Sequence, residues 1–130
     1  MRKVDVITAA QAAEMIPDNA TVALGGFVAG GIPEAIHEAA EQRFLETSHP
    51  RDLTLVWIAG CGNRNHANAD HYAHDGMVKK VIGGHFNFVP EISQMVIDNK
   101  IQGYNVPQGA LAFMMRDSAA HKIGTITPSV

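Results

Sequence analysis

Between residues 21 and 109 the chain repeats one pattern four times: a short apolar run, a glycine-bearing turn, then a helix-forming or polar stretch. Thr21-Val22-Ala23-Leu24 runs into Gly25-Gly26. The run 53–59 is the strongest strand signal and ends at Gly60 and Gly62. Lys80-Val81-Ile82 ends at Gly83-Gly84, and the run 102–106 leads into Pro107-Gln108-Gly109. Short apolar runs bounded by turn residues read as strands, and 21–24 reads as a buried one. Helices are expected over 9–15 with Thr8 as cap, after Pro33 with an apolar stripe of Ile36, Ala39, Ala40 and Phe44, over 90–98, and over 109–120. Strands alternating with helices build a parallel sheet with helices on its faces. The expected fold is therefore α/β, an open and mostly parallel sheet flanked by helices. Such sheets hold ligands outside the carboxyl ends of their strands, where all four of these turns fall. Glycine also makes tight turns with no ligand nearby, but four such ends exceed what turn-making asks for.

The rest of the sequence narrows the function by exclusion. A chain of 130 residues supports one domain, 1–130, with a real core. A net charge of -3 and few aromatic residues give no bulk attraction to nucleic acid or anionic membrane. No apolar run is long enough to cross a bilayer. Cys61 is the only cysteine, so an intrachain disulfide is impossible and a reducing compartment, the cytoplasm, is the expected location. Residues 63–75, rich in His and Asn, read as the longest irregular region. The tail 122–130, with Gly124, Thr125, Thr127 and Pro128, has the makings of a further turn or strand but of no helix. Four strands make a small sheet with an edge or a face uncovered. The domain is thus expected to be incomplete, to be completed by further polypeptide or a second chain, and to associate as a dimer or higher species.

The glycines of 18–33 exclude two familiar phosphate-binding loops: the Gly-x-Gly-x-x-Gly spacing is absent, and no Gly-Lys-Ser/Thr follows. The segment is instead a turn, a short strand, Gly25-Gly26-Phe27, three residues, and Gly31-Ile32-Pro33. This arrangement resembles the signature of the family I coenzyme A-transferases. Arg43-Phe44-Leu45-Glu46-Thr47, His74-Asp75-Gly76, the run 78–85 and Tyr104-Asn105-Val106-Pro107-Gln108-Gly109 are similar to the same family. The likeness is greatest to the fused, single-chain enzymes acting on acetate, propionate or acetoacetate, and it extends to about Lys122. It is weakest from Cys61 to Asp70, where related enzymes have further glycines and this chain has Asn63, Asn65, His66 and Asn68.

The resemblance implies coenzyme A transfer between short-chain acyl-CoA and a free carboxylic acid, with coenzyme A as substrate and no permanently bound cofactor. It implies a glutamate nucleophile, an acyl-glutamyl anhydride and a glutamyl-CoA thioester. That glutamate is expected in the carboxy-terminal half, beyond this chain, so that the chain alone is inactive and needs the remaining half or a second subunit. Gln108 matches the family glutamine whose amide donates to the tetrahedral oxyanion; a neutral amide offers a directed N–H without pairing off a nearby carboxylate. Gly25, Gly26 and Gly31, and on weaker grounds Gly60, Gly62, Gly83 and Gly84, let main chain approach the substrate. Phe27 is placed as a pocket wall or a core aromatic. Two further readings keep the same fold: an acyl-CoA hydrolase, and a non-catalytic coenzyme A-binding or scaffold piece. A lyase or decarboxylase α subunit fits the fused-transferase likeness less well.

Other reactive side chains are expected to be structural. Glu34 lies in a first helical turn, where a carboxylate is favoured by free N–H groups. Cys61 reads as a small buried hydrophobe. His66, His71 and His74 with Asp70 or Asp75 lack a standard zinc spacing, so no metal is expected, and His71 and His74 are assigned to packing or hydrogen bonding on one helix face.

Overall fold

The computed structural model describes residues 4–128. Helix α1 (Ala9–Glu14) begins at Thr8 with a reciprocal cap: the Gln11 amide donates to Thr8 Oγ1 at 3.2 Å, and the Thr8 amide to Gln11 Oε1 at 2.9 Å. This satisfies two backbone donors that a helix start leaves free. There follow β1 (Thr21–Ala23), α2 (Glu34–Thr47), β2 (Leu53–Gly60), a 3₁₀ helix (Asn68–Tyr72), β3 (Val78–His85), α3 (Pro90–Ile97), β4 (Gln102–Asn105) and α4 (Gln108–Ala119). The four strands lie in the order β1-β2-β3-β4, and every neighbouring pair is parallel. The expected α/β class and the helix-covered parallel sheet are what the chain forms.

Alternation along β2 decides where the core sits. Leu53, Leu55 and Trp57 face one side and are almost fully buried with Val81 of β3, Ala40 of α2, Ile92 and Met95 of α3, and Tyr72 of the 3₁₀ helix. The other face, with Thr21, Ala23, Thr54, Val56, Lys80 and Ile82, is approached by α4, whose Met114, Met115 and Ser118 close one wall of a cavity of ≈ 570 Å³ there. One face of the sheet is therefore well covered and the other largely open, as the small strand number suggested.

Three expectations need correction. The strand at 21–24 is buried only at Leu24, because β1 is an edge strand whose second face borders the open cavity; Thr21 and Ala23 are exposed. β3 does not stop at Gly83 but runs through both glycines to His85. Residues 63–75 are not irregular throughout, for they contain the five-residue 3₁₀ helix, every residue of which is buried. Polar side chains are tolerated there because most find polar partners on α2 and α3, the Asp70 carboxylate accepting from the Ile92 amide at 3.0 Å. The tail up to residue 128 forms neither helix nor strand, although Thr125 donates to Asp117 at 2.8 Å.

Candidate functional site at the carboxyl edge

Parallel pairing brings the carboxyl ends of all four strands to one edge. After β1 the chain turns through Gly26 at φ 98°, where a Cβ would also come within 2.8 Å of Ile32 Cγ1. It then closes a tight loop in which Phe27 and Gly30 exchange backbone hydrogen bonds, each 2.9 Å. The loop is laced to the end of β2: Val28 N–H donates to Gly60 at 2.8 Å, and Gly62 N–H to Val28 at 3.1 Å. Gly25 and Gly31 border open space, since a Cβ on either would meet nothing within 4 Å. Phe27 is 65% exposed and so is no core aromatic.

The remaining glycines answer to neighbours inside the protein. A Cβ on Gly60 would strike the Phe88 ring at 2.6 Å, one on Gly62 the Phe88 carbonyl at 2.6 Å, one on Gly83 the Trp57 indole, and one on Gly84 the Ile58 carbonyl. Internal packing is thus enough to require glycine at these four positions.

Gln108 is the first residue of α4, directly after Pro107, and its side chain is exposed. It shares the carboxyl edge with Gly25 and Gly26 but stands above β4, whereas the glycine loop stands above β1 and β2. β1 and β4 are three inter-strand spacings apart, about 14 Å. The edge is common to both, with the glycine loop following β1 and Gln108 following β4. A separate cavity of ≈ 670 Å³ lies at the opposite end of the sheet, beside Val78, Lys79, Gln102 and Gly103.

Sequence reasoning missed a cluster centred on Glu41. Its carboxylate meets His71 Nδ1 at 2.6 Å, His74 Nε2 at 2.6 Å and His66 Nε2 at 3.1 Å. Burial opposes ionisation of Glu41, but the hydrogen bonds from His71, His74 and His66 together outweigh it and hold its carboxyl below the usual range. His66 is raised in turn, first by its bond to Glu91. Glu34 accepts from the Asn68 amide at 3.2 Å and lies 2.9 Å from His71 Nε2. Asn68 also donates its side-chain amide to the Gly25 carbonyl at 3.3 Å, tying the cluster to the glycine loop. The signal was present in the spacing: Glu34 and Glu41 are two helical turns apart and share one face of α2. Asp75, weighed as a ligand from sequence, faces Lys100 instead. Cys61 is 1% exposed, and burial pushes its thiol up to about 12, which leaves it without thiolate character.

Comparison with known proteins fixes the class. Residues 6–130 match the family described as Coenzyme A transferase, and the chain belongs to that family. It is 37% identical over 127 residues to the acetate CoA-transferase YdiF of Escherichia coli (strain K12), covering 96% of this chain and 24% of the relative. It is 32% identical over 127 residues to an acetate CoA-transferase subunit alpha from the same strain, covering 98% and 54%. Against the caffeate CoA-transferase of Acetobacterium woodii the identity is 31% over 121 residues, covering 93% and 23%. The crystal structure of the YdiF acyl-CoA transferase from E. coli O157:H7, as a thioester complex with CoA, superposes with a TM-score of 0.88 at 33% identity, covering 92% of this chain and 23% of that one. The chain therefore spans about a quarter of YdiF and about half of the α subunit.

Proposed function

We propose that this chain supplies one side of the acyl-CoA site in an enzyme that moves coenzyme A between a short-chain acyl-CoA and a free carboxylic acid. The observation carrying this reading is the shared edge: the exposed Gln108 at the start of α4 and the space-facing Gly25 and Gly31 all lie at the carboxyl ends of parallel strands. The family membership and the thioester complex of the YdiF relative support coenzyme A as the ligand.

In this reading a glutamate outside the chain attacks the thioester carbonyl, and the Gln108 amide donates to the oxyanion that forms. Collapse expels coenzyme A thiolate and leaves an acyl-glutamyl anhydride. The thiolate then attacks the glutamyl carbonyl, releasing the first acid and forming a glutamyl-CoA thioester, from which a second acid takes coenzyme A by the reverse steps. Gly25, Gly26 and Gly31 keep the approach clear of side chains, with Phe27 as an exposed wall. The distance between β1 and β4 leaves room for the nucleophile-bearing part to sit between the two halves of the site. The open face beside α4 is a second surface for such a partner or for another copy of the chain.

Transfer of labelled acetate into acyl-CoA tests the reading. The chain alone is expected to be inactive and to gain transfer when combined with the carboxy-terminal half. Release of free acid without transfer would favour a hydrolase, and no activity in the combined protein would remove the enzymatic reading. Light scattering should show a dimer or larger species; a clean monomer would argue against the open face as an association surface.

A further inference from the structure

The geometry points to a zinc site formed by Glu41 of α2, His66 and His71, independent of the coenzyme A chemistry at the carboxyl edge. One carboxylate oxygen of Glu41, His66 Nε2 and His71 Nδ1 lie within 4.8 Å of one another. A tetrahedral ion with bonds of about 2.0–2.2 Å holds its ligand atoms about 3.4 Å apart, so seating one here takes side-chain shifts of up to about an ångström. Two imidazoles and one carboxylate suit zinc, whereas magnesium and calcium prefer all-oxygen sets.

What separates this cluster from an ordinary hydrogen-bond network is the outer face of each histidine. His71 turns its other nitrogen, Nε2, to Glu34 at 2.9 Å, and His66 turns Nδ1 to Glu91 at 2.8 Å. The two rings stand with centroids 4.7 Å apart, and His71 is only 5% exposed. An ion held between them would take lone pairs from the inner nitrogens, while the outer N–H groups donate to Glu34 and Glu91. Carboxylates behind metal-bound histidines are the usual means of fixing tautomer and ring orientation. Glu34 is itself held by the Asn68 amide. His74 Nε2 lies 2.6 Å from the other Glu41 oxygen and braces that carboxylate from the far side. Because Asn68 also reaches the Gly25 carbonyl, the ion would fasten the polar 3₁₀ segment beneath the glycine loop.

A competing set of Glu34, Glu38 and His71 also lies within reach of an ion. It would take Glu34 away from its role behind His71 and offers a single imidazole, so the two-histidine set is preferred.

The test is zinc binding by the purified chain after stripping with a chelator, read by metal analysis and by competition with a chromogenic indicator. One zinc per chain is expected, with a visible tetrahedral band when Co²⁺ replaces it. His66→Ala changes a half-exposed side chain and should weaken zinc at least a hundredfold. Glu91→Gln leaves every ligand in place and should weaken it about tenfold through loss of the outer partner. No zinc retained at micromolar metal overturns the site, as does equal affinity in both variants. Magnesium binding as tight as zinc would show an acidic patch only and would overturn it as well.

Discussion

The indole of Trp57 fills the space left by Gly83, its register partner on the neighbouring strand. The ring is anchored there by its own N–H, which donates to the His85 carbonyl at 3.0 Å, and by an edge-on contact with Phe86 at 5.0 Å between centroids. A methyl group at residue 83 has nowhere to go unless this anchored ring moves. Gly83→Ala should therefore destabilise the protein by about 2 kcal/mol, in the range of overpacked cores. Urea denaturation would show a lower midpoint at unchanged slope; an unaltered midpoint would mean the indole yields freely.

That pairing also explains what was legible in the sequence. Gly83-Gly84 looked like a strand end because glycine is the commonest turn residue, yet the demand for glycine came from Trp57 across the sheet, which no local window contains. The Thr8 cap, the body of β2 and the helix after Pro33 were readable because their causes lie within a few residues. The stretch 63–75 reads as irregular because the partners that order it lie far off in sequence: His71 and Asn68 meet Glu41 and Glu34 from some thirty residues away. At the site, parallel grammar placed Gly25 and Gln108 on one edge. It could not give the strand order that puts β1 and β4 at opposite ends, since order is a property of the whole sheet.

Gln108 is exposed at a helix start, where truncation should leave the fold intact. In the complete enzyme Gln108→Ala should cost about 3 kcal/mol of transition-state stabilisation, on the order of a hundredfold in kcat. Steady-state kinetics should show the loss in kcat more than in KM, because an oxyanion donor acts after substrate is bound. Unchanged turnover would remove Gln108 from the chemistry.

Cys61 should resist alkylation while the protein is folded. It is buried against the β2 turn, and desolvation raises its thiol to about 12, so thiolate is scarce at neutral pH. Iodoacetamide labelling followed by mass spectrometry should show negligible reaction in buffer and complete reaction in denaturant. Rapid labelling of the folded chain would place Cys61 in an open or activated setting.

Arg43 joins α1 to α2 by donating from one guanidinium nitrogen to both the Ala13 and Ile16 carbonyls, each at 2.8 Å. Ala13 is in the last turn of α1 and Ile16 lies just beyond its end, so the guanidinium ties this helix terminus to α2. Arg43→Met keeps much of the aliphatic stem and removes the charged donor, so it isolates the hydrogen bonds. The expected loss is about 2 kcal/mol, read as a shift in the urea midpoint. Hydrogen exchange should speed first in α1, and uniform acceleration across the sheet would place the Arg43 contribution elsewhere.

Asp18 gives the acid limb of the stability profile a visible component. Its carboxylate lies 2.9 Å from His49 Nδ1 and accepts the Arg51 amide at 2.8 Å. The His49 bond first, and the Arg51 amide second, hold its carboxyl below the usual range. A carboxyl more acidic in the folded state than in the unfolded chain stabilises the fold at any pH above its unfolded value, about 3.9. As pH falls through that value and then through the lower folded one, the unfolded state takes up the proton first and the contribution disappears. Asp18→Asn keeps an oxygen acceptor for the Arg51 amide but cannot titrate. Wild type should therefore be the more stable protein at pH 5, with the gap narrowing to its minimum near pH 2. Both side chains are well exposed, so the gap should be small and should shrink further in high salt. Thermal denaturation of the two proteins between pH 2 and 5 measures it, and parallel curves over that window would show that Asp18 is not stabilised by its partners.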